Sequence, residues 1–225
     1  MSDCVYLQRQ SAVGARKHES PPDGAHRMDE IVLSAMAKWP NVPAVYGWLS
    51  LNRRGQWLIK GERIENSGMV AFIQRNYERD NEGCWFFQNG PQRVFVDLDY
   101  TPLIVRVTDR TTLVTHTDRR VHCVRHAWID ENGVLIIATE HGPAIVDDRD
   151  IEALSACITG SDGNAPGEDA LLAALEDLQL GGVSDLKLRY AGNSVPLRPV
   201  RSLEVPVQIG FNPRPRPSTG ETTCA

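Results

Sequence analysis

Residues 48–64, WLSLNRRGQWLIKGERI, recur in outline as residues 128–145, WIDENGVLIIATEHGPAI. Trp48, Gly55 and Gly61-x-x-Ile64 are matched by Trp128, Gly133 and Gly142-x-x-Ile145, and farther on Val70 and Ile73 by Ile151 and Leu154. The offset is 80 residues at the tryptophan and 78 at the first glycine, then holds at 81 from Gly61 to Ile73. Each copy sets two apolar runs around a turn that begins with Asn or Asp and ends in Gly, the pattern of a β-hairpin whose turn needs a residue at positive φ. Helix signals follow each hairpin: Asn66 or Ser67 ahead of Met69, Val70, Phe72 and Ile73, and Asp148 ahead of a run through Ile158. A duplicated unit of this kind decides the architecture and carries no catalytic signature.

Outward from the repeat, the apolar positions Ile31, Val32, Ala35, Met36 and Trp39 keep helical spacing from Asp29 until Pro40 stops the run. Residues 83–107 read as an antiparallel meander, with a turn at Gln88-Asn89-Gly90-Pro91 and another at Asp99-Tyr100-Thr101-Pro102. Thr111–Thr115 and Arg120–Ile129 are strand-like and lead into the second copy. That copy is interrupted by a helix over Glu168–Leu180, closed by Gly181-Gly182. Strands are then expected through Ile209. Residues 1–27 lack apolar periodicity, which makes Met28 a candidate start, and the Pro-Arg-Pro-Arg-Pro ending reads as extended and disordered.

The sequence therefore predicts an α+β, β-rich protein: two repeated hairpin-helix-sheet units packed into one compact body, with an N-terminal helix. The expected division is a disordered extension (1–27), a first unit with the N-terminal helix (28–110), a second unit with an inserted helix at 166–180 (111–210), and a disordered Pro-rich tail (211–225).

Composition narrows the function. A net charge of −5 and a pI near 5.7 argue against binding nucleic acid by phosphate neutralisation. No apolar run reaches the roughly 18 residues a membrane span needs, and Met1–Gln10 has no signal-peptide pattern. A cytoplasmic location is expected. Five scattered cysteines, Cys4, Cys84, Cys123, Cys157 and Cys224, make neither a disulfide framework nor a paired metal knuckle.

Gly47, Gly55-x-Trp57, Gly61-x-x-Ile64, Gly83-x-Trp85-Phe86, Pro91-Gln92-Arg93-Val94-x-Val96 and Asp99-x-x-Pro102 resemble the bacterial family called domain of unknown function 1285, most clearly over residues 45–107. The resemblance implies a β-rich fold of repeated motifs and a role in signal transduction, with no established activity. Gln92, where that pattern carries an acid, and the proline-rich ending depart from it.

Candidate sites follow from charge and spacing. His116, His122, Cys123 and His126 look like metal ligands, but on a strand Cys123 points away from both neighbouring histidines, and His122 and His126 stand roughly 13 Å apart at about 3.3 Å per residue. No metal site is expected. Arg106, Arg119 and Arg125 belong to a basic run whose guanidinium forks suit carboxylate or phosphate. With Trp85 and Tyr100 they are the residues read as ligand-binding. Gly61 and Gly142 fall in no phosphate-loop pattern, so no cofactor is expected. Trp48, Trp57, Trp85 and Trp128 occupy strand positions and read chiefly as core, with a hydrophobic ligand groove as the alternative.

The function expected is a binding or regulatory module recognising a small anionic ligand or a protein partner, with its site in the cleft between the units. The alternative is a hydrolase-type enzyme on an anionic substrate, using Asp97 or Asp99 with a nearby histidine such as His122. A third class is an interaction protein whose Pro-Arg tail docks as a polyproline strip. Oligomeric state is left open.

Overall fold

Two turns closed by the same bonds frame the molecule. In the computed structural model, which describes residues 28–39, 41–109 and 112–217, the Asn52 side-chain oxygen accepts the N–H groups of Arg54 and Gln56 at 2.9 and 3.0 Å. Asp130 Oδ1 likewise accepts from Asn132 and Val134 at 2.9 and 2.8 Å. A short side-chain acceptor thus fixes each hairpin locally, before any long-range contact is needed.

In chain order the elements are helix α1 (Glu30–Lys38), strands β1 (Val45–Leu51), β2 (Trp57–Ile59) and β3 (Glu62–Arg63), and helix α2 (Ser67–Arg75). Strands β4 (Tyr77–Arg79), β5 (Trp85–Asn89), β6 (Gln92–Leu98), β7 (Leu103–Thr108) and β8 (Thr112–Thr115) follow. Then come β9 (Val124–Asp130), β10 (Leu135–Thr139) and β11 (Gly142–Val146), a 3₁₀ turn at Asp148–Asp150, and α3 (Ile151–Ser155). The chain continues with β12 (Ile158–Thr159), α4 (Glu168–Gln179), β13 (Lys187–Tyr190), β14 (Asn193–Val200) and α5 (Val205–Ile209).

The first sheet runs β3-β2-β1-β6-β5-β4 and the second β12-β13-β14-β9-β10-β11-β7-β8. From β11 to β12 the second sheet has the strand order of the first, with the central pair parallel in both, β1 on β6 and β9 on β14. The α+β, β-rich architecture and the N-terminal helix are as the sequence predicts. One apolar core joins the sheets, containing Trp57, Trp85, Val96 and Leu98 from the first and Ile104, Trp128, Ile136 and Ala144 from the second. Behind the first sheet, Cys84, Phe86 and Phe95 form a smaller cluster with Ala44 and Tyr46.

Several local expectations change. Strand β7 pairs in parallel with β11, so the chain passes from first to second sheet in the Asp99–Pro102 bend and not near residue 110. Asp147, not Asp148, caps the turn before α3 by accepting the Arg149 N–H at 3.1 Å, and that helix stops at Ser155 because Ile158 and Thr159 pair with β13. Residues 205–209, expected as strand, are helix α5. The tail is docked over 211–217: Phe211 is buried, and Pro213 O accepts the Leu98 N–H at 2.9 Å. The expected extension at 1–27 and the last eight residues of the expected tail lie outside the described residues.

Candidate functional site

A break in register builds a mainly apolar pocket on the first sheet. Pairing between β1 and β6 shifts between Val45 and Leu49, and Gly47 in that stretch has φ +71°. A bulge there adds a residue to the alternation and re-aims the side chains that follow. In a regular strand Val45 and Trp48 would face opposite ways; here both line one cavity of about 370 Å³. Leu49, Phe87 and Val94 supply further sheet wall, and Met69 and Ile73 of α2 close it from above. Helix α2 is held in place by the Asn66 side chain, which accepts the Met69 N–H at 2.9 Å, and by Phe72 packed edge-on to Phe87.

The mouth combines apolar and polar groups. Trp48 is 40% exposed and Met69 41%. Lys60, just outside the lining, sets its Nζ 3.8 Å from the centroid of the Trp48 ring, a cation–π contact, and Asn89 and Gln92 are the polar lining residues, the Gln92 amide donating to Pro43 O at 3.0 Å. No carboxylate is among the lining residues. Trp128, the repeat partner of Trp48, is only 6% exposed and belongs to the core. Its strand pairs with β14 in unbroken register, so this feature belongs to the first unit alone.

The residues singled out from sequence fall elsewhere. Trp85 and Arg119 meet around the buried Tyr77: the rings of Trp85 and Tyr77 are 5.0 Å apart, and Arg119 Nη2 donates to Tyr77 O at 3.2 Å. Trp57 and His116 complete this cluster, and Trp57 Nε1, Trp85 Nε1, His116 Nε2 and Arg119 Nε are buried without a partner among the described residues. Burial, with the Arg119 charge second, lowers the His116 pKa to about 3. Burial also lowers that of Arg119, against the pull of Glu78 and Tyr77.

Arg106 is committed to Asp150, with Nε to Oδ2 at 2.5 Å and Asp147 at 3.8 Å. Arg125 is exposed on β9. Tyr100 donates to Asp130 Oδ2 at 2.5 Å and carries the Arg53 guanidinium 4.3 Å above its ring. This pair stands by the cleft between the units, a pocket of about 400 Å³ lined by the Arg53–Arg54 and Asn132–Val134 turns and Asp148. Its charges are largely spent on each other, since Arg54 pairs with Asp148 at 3.4 Å.

Asp97, Asp99 and His122 do not assemble into a catalytic group. Asp97 accepts from Arg216 at 2.9 Å with Arg214 at 3.8 Å. Asp99 is exposed in the bend after β6, and His122, also exposed, gives its backbone N–H to Glu140 beyond β10. Among the described residues no bond links the three, and no group of three or more His, Cys, Asp or Glu side chains could hold a metal ion. Lys60 and Met69 carry no site signal in the sequence, and Trp48 lines a pocket, the lesser of its two readings there; Gly47 inside an otherwise regular strand is the signal for the bulge.

Two solved structures resemble this fold. One, a DUF1285 family protein from Silicibacter pomeroyi, aligns with 18% identity over 73% of this chain and 87% of its own, at a TM-score of 0.47. The other, a DUF1285 family protein from Shewanella baltica, aligns with 13% identity over 49% of this chain and 89% of its own, at a TM-score of 0.37. They carry the family name that the first unit's residues resemble. No curated protein matches. The family model DUF2944, described as "Protein of unknown function (DUF2946)", spans residues 28–216, the whole of both sheets with the helices around them, and the chain belongs to that family.

Proposed function

We propose that the protein is a binding module whose first unit holds a small, largely apolar molecule with one negative group, and that it works in the cytoplasm as a regulatory component. The bulge-built pocket under α2 carries this reading. Its volume of about 370 Å³ falls within the range of small-molecule sites. An apolar body fits against Leu49, Phe87 and Ile73, and a carboxylate at the mouth meets Lys60 with no like charge in the wall. An occupant touching Met69 and Ile73 bears directly on α2, which is how binding would be passed on. Cys84, Cys123 and Cys157 are free thiols, in keeping with a reducing compartment. No helix among the described residues is long and apolar enough to cross a membrane.

The test is titration with octanoate against octanol, read by tryptophan fluorescence and thermal shift. Octanoate is expected to saturate, perturb Trp48 emission and raise the melting temperature by several degrees at about a hundred times its dissociation constant. Trp48→Ala is expected to abolish both effects, and Lys60→Gln to remove the preference for the carboxylate. If neither compound moves emission or melting, the reading fails.

A further inference from the structure

The eight-stranded sheet curls until its edges meet. β8 lies at one end of the strand order and β12 and β13 at the other, yet Tyr190 at the end of β13 reaches across: its hydroxyl accepts the Leu113 N–H at 3.0 Å and donates to Val121 O at 2.8 Å. Beside this bridge is a pocket of about 570 Å³. Thr112 and Arg120 form one bank; Cys157, Arg189 and Gly192 form the other.

Two arginines therefore line one opening from opposite edges of a sheet. Neither makes an ion pair or side-chain hydrogen bond among the described residues, whereas Arg54, Arg75, Arg106, Arg149 and Arg216 each hold an aspartate. Two cations across one pocket repel unless an anion lies between them, and the planar fork of Arg matches an oxyanion with two parallel bonds. Burial raises the pKa of the Cys157 thiol in the wall in spite of the Arg189 charge, which keeps it chiefly protonated.

We propose that this seam is a binding site for a phosphate group, held between Arg120 and Arg189 with the Thr112 hydroxyl as a third donor. The occupant ties the two edges of the sheet together, so binding stabilises the second unit and covers Cys157. This site is separate from the pocket under α2, and either can fail without the other.

The experiment uses the full chain and inorganic phosphate, with potassium chloride matching the ionic strength. The expected result is a saturable rise in melting temperature and alkylation of Cys157 by iodoacetamide slowed several-fold, followed by peptide mass spectrometry. Arg120→Gln and Arg189→Gln are each expected to weaken phosphate at least tenfold, while Arg198→Gln, an exposed site on β14, leaves it unchanged. Circular dichroism confirms that the variants fold. Glucose 6-phosphate separates the sources: tighter binding than phosphate supports a phosphate monoester as occupant, and weaker binding supports the free ion. Equal shifts in wild type and the Arg120→Gln/Arg189→Gln double variant, or none beyond the chloride control, overturn the proposal.

Discussion

His116 makes folding depend on pH in a range where few other side chains titrate. Its Nδ1 accepts the Ile104 N–H at 3.3 Å, and its Nε2 is buried among Trp57 and Tyr77 with no acceptor among the described residues, although the residue as a whole keeps some exposure. Burial lowers the folded pKa to about 3, against about 6.5 in an unfolded chain. The unfolded state therefore takes a proton that the folded state refuses. This contribution is fully present above pH 6.5 and is lost as the pH falls toward 3, at up to about 1.4 kcal/mol per unit. Asp147 and Asp150, whose pKa values are lowered mainly by hydrogen bonds from Arg149 and Arg106, contribute stability that is lost only below their unfolded values near 3.8. Urea unfolding between pH 7 and 5 should thus show stability falling in the wild type and nearly flat in His116→Asn, whatever the variant loses overall. Parallel slopes in the two proteins would assign the effect to other groups.

At the scale of elements, the repeat places the same residue in different surroundings. Gly61 and Gly142 fill one repeat position, with φ of +88° and +133°. A Cβ on Gly61 meets nothing within 4 Å, whereas one on Gly142 would lie 2.9 Å from Trp85 Cζ2 and 3.1 Å from Cη2. Gly61→Ala should therefore cost about 1 kcal/mol of backbone strain. Gly142→Ala should cost about 2–4 kcal/mol, since the Trp85 ring is held by Tyr77 and the core and cannot retreat. Chemical denaturation measures both, and equal losses would mean that the sheets give way where Trp85 meets β11. The contrast also shows what the sequence could reveal. Hairpins and α2 were legible because their causes are local: an Asn or Asp acceptor, a glycine three residues on, a cap at Asn66. The pocket was not, because it arises from a register shift against β6, a partner more than forty residues away. Helix α5 was missed for another reason. Leu203, Val205, Val207 and Ile209 alternate like a strand, yet Val205 is buried and Val207 is 88% exposed. Pro206 in its first turn and Gly210 at φ +83° after its end were the helix signals that this alternation concealed.

At the scale of the whole molecule, the chain's end closes a circuit between the sheets. After β14 and α5 it returns to the first sheet, where Asn212 pairs with Cys84 in a parallel bridge and donates to Gly83 O at 3.0 Å. Arg216 holds Asp97 and Pro213 O takes the Leu98 N–H, so two residues of β6 depend on a segment that composition marks as disordered. Proline removes donors but leaves carbonyls, and an extended Pro-Arg strip can bond to a sheet that supplies N–H groups and a carboxylate. Phe211, 6% exposed, packs into the core that joins the sheets. Phe211→Ala should cost about 3–5 kcal/mol, while Arg216→Gln, at a half-exposed ion pair, should cost less than about 1 kcal/mol. Truncation after Gly210 removes both contacts and strips Leu98 of its acceptor. At about 2–4 °C per kcal/mol for a chain of this size, melting should fall by roughly 6–20 °C. The loss should also be uneven: hydrogen exchange is expected to quicken in β5 and β6 well before β9 and β10, because only the first sheet loses its tie. A truncated protein that melts at the wild-type temperature, or loses protection evenly across both sheets, would show that the units hold together without it.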